Sequence, residues 1–216
     1  MDAFLTAAEN DLRRRAREYF RSRPETSGFE TRPSWERIRR ELAGGEIRAD
    51  AAPRPAALLG ETVAIIEGAA SCDPDLARGL LTRRAGSRTA DPVGDRLCAF
   101  ARLAGAAEYV LEAGARSARE RGAFASSLMG CREVQESLAA IAWSAELLRL
   151  GTCRVLRLLD RGEPDRAEAE SGRLLDRAAA LSRDTRSVAL ALLGDDWAGA
   201  RLAGEEPSPT EERKRS

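Results

Sequence analysis

The chain has 216 residues, 43% of them hydrophobic, enough to bury a substantial core in one domain or in two packed helical layers. Its 35 basic and 35 acidic side chains cancel, so no net field draws it toward nucleic acid or an anionic membrane, and neither is expected as a partner. Histidine is absent, which removes imidazole bases, Ser-His and Cys-His nucleophile pairs and most zinc sites together, and no metal site is expected.

Residues 3 to 21 repeat apolar side chains at Phe4, Ala8, Leu12, Ala16 and Phe20, widened by Leu5 and Tyr19, the spacing of an amphipathic helix that Pro24 closes. Arg13-Arg14-Arg15 reads as its solvated face. Ser34 is placed to cap a short second helix through Trp35, Ile38 and Leu42, stopped by Gly44-Gly45. The stretch from Glu46 to Pro55 is expected to be irregular, because Pro53 and Pro55 remove backbone donors. A third helix runs over about Ala56 to Ala70, and Asp73-Pro74 starts a fourth with Leu76, Leu80 and Leu81 on its apolar side.

Between Ala85 and Gly94 the chain is small, polar and rich in breakers, which marks a linker. Three long helices follow, over about 95 to 120, 131 to 161 and 164 to 193. Leu138, Ile141, Ala145, Leu148, Thr152, Val155 and Leu159 line one face of the middle one, and Gly162 with Pro164 turns the chain back antiparallel. Leu174, Leu175, Ala178, Leu181, Val188 and Leu192 form the stripe of the last, which Gly194 terminates. The expected organisation is an N-terminal helical part over 1–85, a linker over 86–94, a long-helix bundle over 95–203 and a disordered, charged tail over 204–216. No alternating run bounded by turn signals reads as a strand, so the fold class is all-α, an antiparallel helical bundle.

No apolar run reaches the ~20 residues that span a bilayer, and the N-terminus lacks a signal-peptide layout, so a cytoplasmic location is expected. Cys72, Cys98, Cys131 and Cys153 are widely spaced and read as reduced core residues. Trp35, Trp143 and Trp197 could line a ligand cavity, but buried or half-buried packing is the default for tryptophan in a bundle.

Arg121, Phe124 and Leu128, then Val134-Gln135 and Leu138-Ala139, fall without gaps on the motif that opens the C-terminal bundle of the acyl-CoA dehydrogenase family, which this segment resembles. Asp160-Arg161-Gly162-Glu163-Pro164 looks like the family's turn between its last two long helices, and Leu192-Leu193-Gly194 like the signal that follows them. Phe4-Leu5-Thr6, Trp35 to Leu42 and Ala69 to Leu81 resemble the family's N-terminal helical domain. Between the two halves a family member carries a β-domain that covers the flavin ring, whereas here a short linker stands in its place. The family's glutamate-bearing C-terminal segment is likewise missing.

The resemblance implies FAD as cofactor, with Arg121 as the arginine that reaches across a dimer interface to the flavin pyrophosphate and Phe124 and Gln135 as residues of the same cofactor region. A guanidinium suits that task because its donors form a fixed fork that matches two phosphate oxygens. Ala125, Cys131 and Arg132 replace the family's Gly, Phe and Gln. The resemblance also sets Asp95 where a subset of the family projects its catalytic base; read from the residues alone, Asp95 is a helix N-cap. A flavin bound only to helices would leave one ring face in water, which argues against its retention by this chain alone.

The leading expectation is therefore a degenerate acyl-CoA dehydrogenase-like protein, a non-autonomous or accessory subunit that forms a homo-oligomer or a hetero-oligomer with a full-length dehydrogenase. Two alternatives stay open: a flavin-independent helical pocket that binds or acts on an acyl thioester, and an active FAD-dependent dehydrogenase.

Overall fold

The computed structural model describes residues 7–22, 38, 41–42, 55–72, 74, 77, 91–123 and 126–194. Among these the protein is all-α, with five packed helices: α1 Ala7–Arg21, α2 Pro55–Ala70, α3 Pro92–Glu120, α4 Arg132–Asp160 and α5 Pro164–Leu193. Ile38, Glu41 and Leu42 are also helical, and Ile38 and Leu42 are buried, as the second-helix stripe requires. Pro74 and Ala77 are helical and buried; the rest of the expected fourth helix, Trp35, Trp197 and the expected tail lie outside the described residues.

The elements stack outward from α3. It packs on α2, α4 and α5, and its buried residues Leu97, Cys98, Phe100, Ala101 and Leu103 to Ala107 face nearly every direction, as befits a central helix. Every residue of α2 from Thr62 to Ala70 is buried, between α1 on one side and α3 on the other. Close approach there depends on two glycines. A β-carbon at Gly105 would run into the carbonyl oxygen of Glu67 and lie 2.7 Å from the Ala70 Cβ, and one at Gly68 would lie 2.8 Å from the Ala16 Cβ.

The α4–α5 pair is built by the expected stripes: Leu138, Ile141, Ala145, Leu148, Thr152 and Val155 are buried against Leu174, Ala178, Leu181, Val188 and Leu192. Their turn is closed by local chemistry. Gly162 takes a left-handed φ of 72°, its N–H donates to Leu159 O at 3.0 Å, the Glu163 N–H donates to Leu158 O at 2.9 Å, and Pro164 occupies the first position of α5. Gly194, φ 95°, ends α5.

Three expectations change. Helix α3 begins at Pro92 instead of Asp95, because the Asp91 carboxylate accepts the Gly94 N–H at 3.1 Å and so is the cap; Asp95 sits in the first turn, its N–H on Asp91 O. After Arg121 the chain makes a two-residue antiparallel ladder, Gly122 opposite Ser127 and Ala123 opposite Ser126, and then a 3₁₀ turn over Leu128–Gly130. The ladder is too short to form a layer and joins two helices without altering the fold class. Finally, Trp143 does not pack inward: it is 66% exposed on the outer face of α4.

None of the four cysteines is in a disulfide; Cys98 and Cys153 are buried, Cys72 and Cys131 half-buried. Among the described residues no helix is long and apolar enough to cross a membrane.

Candidate functional site

Two places in the molecule gather polar groups around named residues. The first lies where α1, α2, α3 and α4 meet. Glu67, only 3% exposed, interrupts the buried C-terminal half of α2 and would be a costly charge without partners. Arg149 of α4 supplies the main one: its Nε bonds Glu67 Oε1, and its Nη2 reaches Glu108 Oε2 of α3 at 2.6 Å. Arg13 of α1 adds contacts of 3.3 Å to Glu67 and 3.6 Å to Glu108, and Arg17 bonds Glu108 at 2.5 Å and also Glu112.

Burial works against the charge on Arg149, but Glu67 and Glu108 outweigh it and hold the guanidinium above the ordinary arginine pKa. At Arg17 burial is likewise the largest influence, and Glu108 with Glu112 reverses it. A carboxylate flanked by guanidinia from two other helices is a tie between elements, and a base waiting for a proton would need an open face. Cys72 beside this cluster is no nucleophile either: burial pushes its thiol up, and its Sγ donates to Arg17 O at 3.2 Å.

Sequence reading placed Arg13 on a solvated face. The structure corrects this: Arg13 is turned in toward Glu67, Arg14 stays out on Asp11 and Glu18, and Arg15 donates to Leu42 O at 2.7 Å. The signal for the cluster was Glu67 itself, a carboxylate directly after the apolar run Val63-Ala64-Ile65-Ile66.

The second place is the far end of the bundle, where α3 stops and α5 stops. Arg121 caps α3; its Nη1 donates to Leu192 O at 3.2 Å, an oxygen that also accepts from Ser117 Oγ at 2.8 Å. The Arg121 carbonyl accepts the Leu128 N–H at 2.9 Å, and Gln135 Nε2 donates to Met129 O at 2.9 Å. Arg121 and Gln135 therefore hold the same 3₁₀ turn from its two sides, and both are exposed. Phe124 lies outside the described residues.

Asp95 is not part of this group. It is exposed at the other end of α3, about 39 Å from Arg121 along the helix axis at 1.5 Å per residue. Within one chain the two cannot face one small substrate. Arg96 beside it is turned to α5, its Nη1 on Ser171 Oγ at 2.8 Å and its Nη2 on Glu168 at 2.5 Å.

Residues 93–196 match the family model described as acyl-CoA dehydrogenase, C-terminal domain. No curated protein and no solved structure matched the chain. The match spans α3, the hairpin, α4 and α5, and so contains Asp95, Arg121, Phe124 and Gln135, but not the N-terminal helices.

The family commonly binds FAD. A flavin dinucleotide asks for a fork of donors at its pyrophosphate and a dry wall for its ring. The exposed guanidinium of Arg121 suits the first demand. The Gln135 amide nitrogen is already given to Met129 O, and the described residues beside it do not build the second, so the described residues do not fit the whole cofactor. Between Ala70 and Asp91 the chain has room for a short connection and not for a lobe of about a hundred residues. Residues 93–196 are thus similar to the C-terminal helical domain of the acyl-CoA dehydrogenase family, and the described residues are helical, consistent with a chain that lacks the family's middle β-domain.

Proposed function

We propose that the protein is a non-autonomous acyl-CoA dehydrogenase-like subunit, which docks its bundle on a full-length dehydrogenase and presents Arg121 to the pyrophosphate of a flavin held mainly by that partner. The observation that carries this reading is the position of Arg121: exposed at the bundle end and held by Leu192 O, with no other side-chain partner among the described residues. The separation of Asp95 from Arg121 supports it further, because a site using both must draw them from two chains.

The chain alone is expected to be colourless and unable to oxidise an acyl-CoA, and to co-elute with a full-length acyl-CoA dehydrogenase on size exclusion. Arg121→Ala is expected to weaken that complex or release its flavin. Yellow protein that oxidises an acyl thioester unaided would overturn the reading, as would a chain indifferent to every dehydrogenase offered.

A further inference from the structure

The grip of α1 on the rest of the molecule differs in kind from that of the other helices. Its backbone lies along α2, with Ala16 set against Gly68, and of its described side chains Leu12 and Ala16 alone are buried, Tyr19 and Phe20 being half-buried. Helix α5, by contrast, buries Leu174, Leu181, Val188 and Leu192. What α1 lacks in apolar grip it supplies in charge. Arg13, Arg17 and Arg21 recur every four residues and so line one side of the helix. They meet Glu67 of α2 and Glu108 and Glu112 of α3 as successive rungs. Arg13 lies 3.3 Å from Glu67 and 3.6 Å from Glu108, Arg17 lies 2.5 Å from Glu108 and also bonds Glu112, and Arg21 lies 2.7 Å from Glu112.

We propose that α1 is an electrostatic latch, which opens as a unit while α2 and the α3–α5 bundle stay folded, its opening set by ionic strength. The arrangement of charges permits this. When α1 leaves, Glu67 keeps Arg149, Glu108 keeps Arg149 at 2.6 Å, and Glu112, its side chain 44% exposed, is hydrated. No buried carboxylate is stranded, and that is the penalty that would otherwise forbid local opening. Helix α2 has its own hold on the bundle, through Arg149 and through the close approach of Gly105. The outer rungs, Arg17 and Arg21 on Glu112, stand partly in water, where added salt screens them.

A helix with few buried apolar contacts and exposed ion pairs belongs to the part of a fold that opens first. Arg15 donates to Leu42 O at 2.7 Å and Tyr19 to Glu41 at 2.9 Å, in the helical segment between α1 and α2, and the latch comprises that segment as well. Opening bares the Cys72 thiol, whose Sγ donates to Arg17 O at 3.2 Å while α1 is in place. The proposal uses neither Arg121 nor a flavin, so it stands or falls apart from the function proposed above.

The test is hydrogen exchange of the full chain, read on peptides by mass spectrometry, between about 0.01 M and about 1 M sodium chloride, over which the screening length falls from about 30 Å to about 3 Å. Amides of Ala7–Arg21 are expected to exchange about tenfold faster or more at the higher salt, while those of α4 and α5 keep their protection. Alkylation of Cys72 should rise in step, with buried Cys98 and Cys153 still protected. Glu112→Gln, at an exposed position, removes the outer rungs and should give the open behaviour already at low salt with unchanged far-UV circular dichroism; Arg21→Gln should do so in part. Three results would overturn the proposal: α1 amides that exchange only together with those of α4 and α5, α1 exchange indifferent to both salt and Glu112→Gln, or a Cys72 thiol that stays as protected as Cys98 while α1 exchanges.

Discussion

The Glu67–Arg149 junction and the Arg121 end of the bundle are both polar, yet their charges are disposed in opposite ways. At the junction two carboxylates and three arginines from four helices are turned toward one another and largely out of water. At the bundle end an exposed arginine, Arg121, bonds through its side chain, among the described residues, to the Leu192 carbonyl alone. Charges spent on each other inside a fold hold it together and leave nothing for a ligand, while an arginine fixed by a single bond at a surface is poised for a group from elsewhere. The junction keeps the N-terminal helices on the bundle, whereas the bundle end is the part proposed to meet another molecule.

The largest effect is expected from breaking the junction. Arg149→Leu leaves Glu67 buried with Arg13 as its remaining neighbour and should cost about 3 kcal/mol, read as a lower urea midpoint. Adding Glu67→Leu should recover part of that loss; if both variants unfold with wild-type midpoints, the junction is not what holds α2 to α4. Next in size is Gly105→Ala, which drives a β-carbon into the α2 backbone at Glu67 and should cost about 2 kcal/mol by overpacking. A midpoint equal to wild type would mean that α2 and α3 do not approach so closely.

Arg121→Ala sharpens the contrast from the other side. Losing one surface bond to Leu192 O should cost under about 1 kcal/mol of stability, yet abolish retention of a flavoprotein partner in a pull-down. A variant as unstable as Arg149→Leu would make Arg121 a structural tie as well. The smallest effect concerns Cys72, whose thiol is raised in the fold, mainly by burial. A raised thiol keeps its contribution to stability below the unfolded value of about 8.5 and loses it as pH rises through the higher folded value. The stability advantage of wild type over Cys72→Ser should therefore shrink between neutral and strongly alkaline pH; a constant difference would contradict the burial of the thiol.

What could be read in the sequence was whatever is decided over short distances. The α4–α5 turn follows from Gly162 and Pro164, the end of α5 from Gly194, and the buried stripes from three-and-four spacing, because caps and periodicity are local. The start of α3 was misplaced by one turn because Asp91-Pro92 and Asp95 both carry cap chemistry, and only the bond to Gly94 N distinguishes them. Arg13 and Arg149 were not legible as partners of Glu67, since they lie 54 and 82 positions away along the chain and nothing local announces which arginine turns inward. Trp143 was misread for a related reason. Its apolar neighbours Leu147 and Leu150 form a second stripe on a helix that already has one, and packing inside a single chain can bury only the first.

The proposed function holds that this bundle does not house a flavin by itself. Visible absorbance of the freshly purified chain, taken together with acyl-CoA turnover, tests this most directly. A colourless, inactive chain that gains a flavin signal only in complex with a full-length dehydrogenase is the predicted result; a yellow chain with stoichiometric flavin and unaided turnover would contradict it.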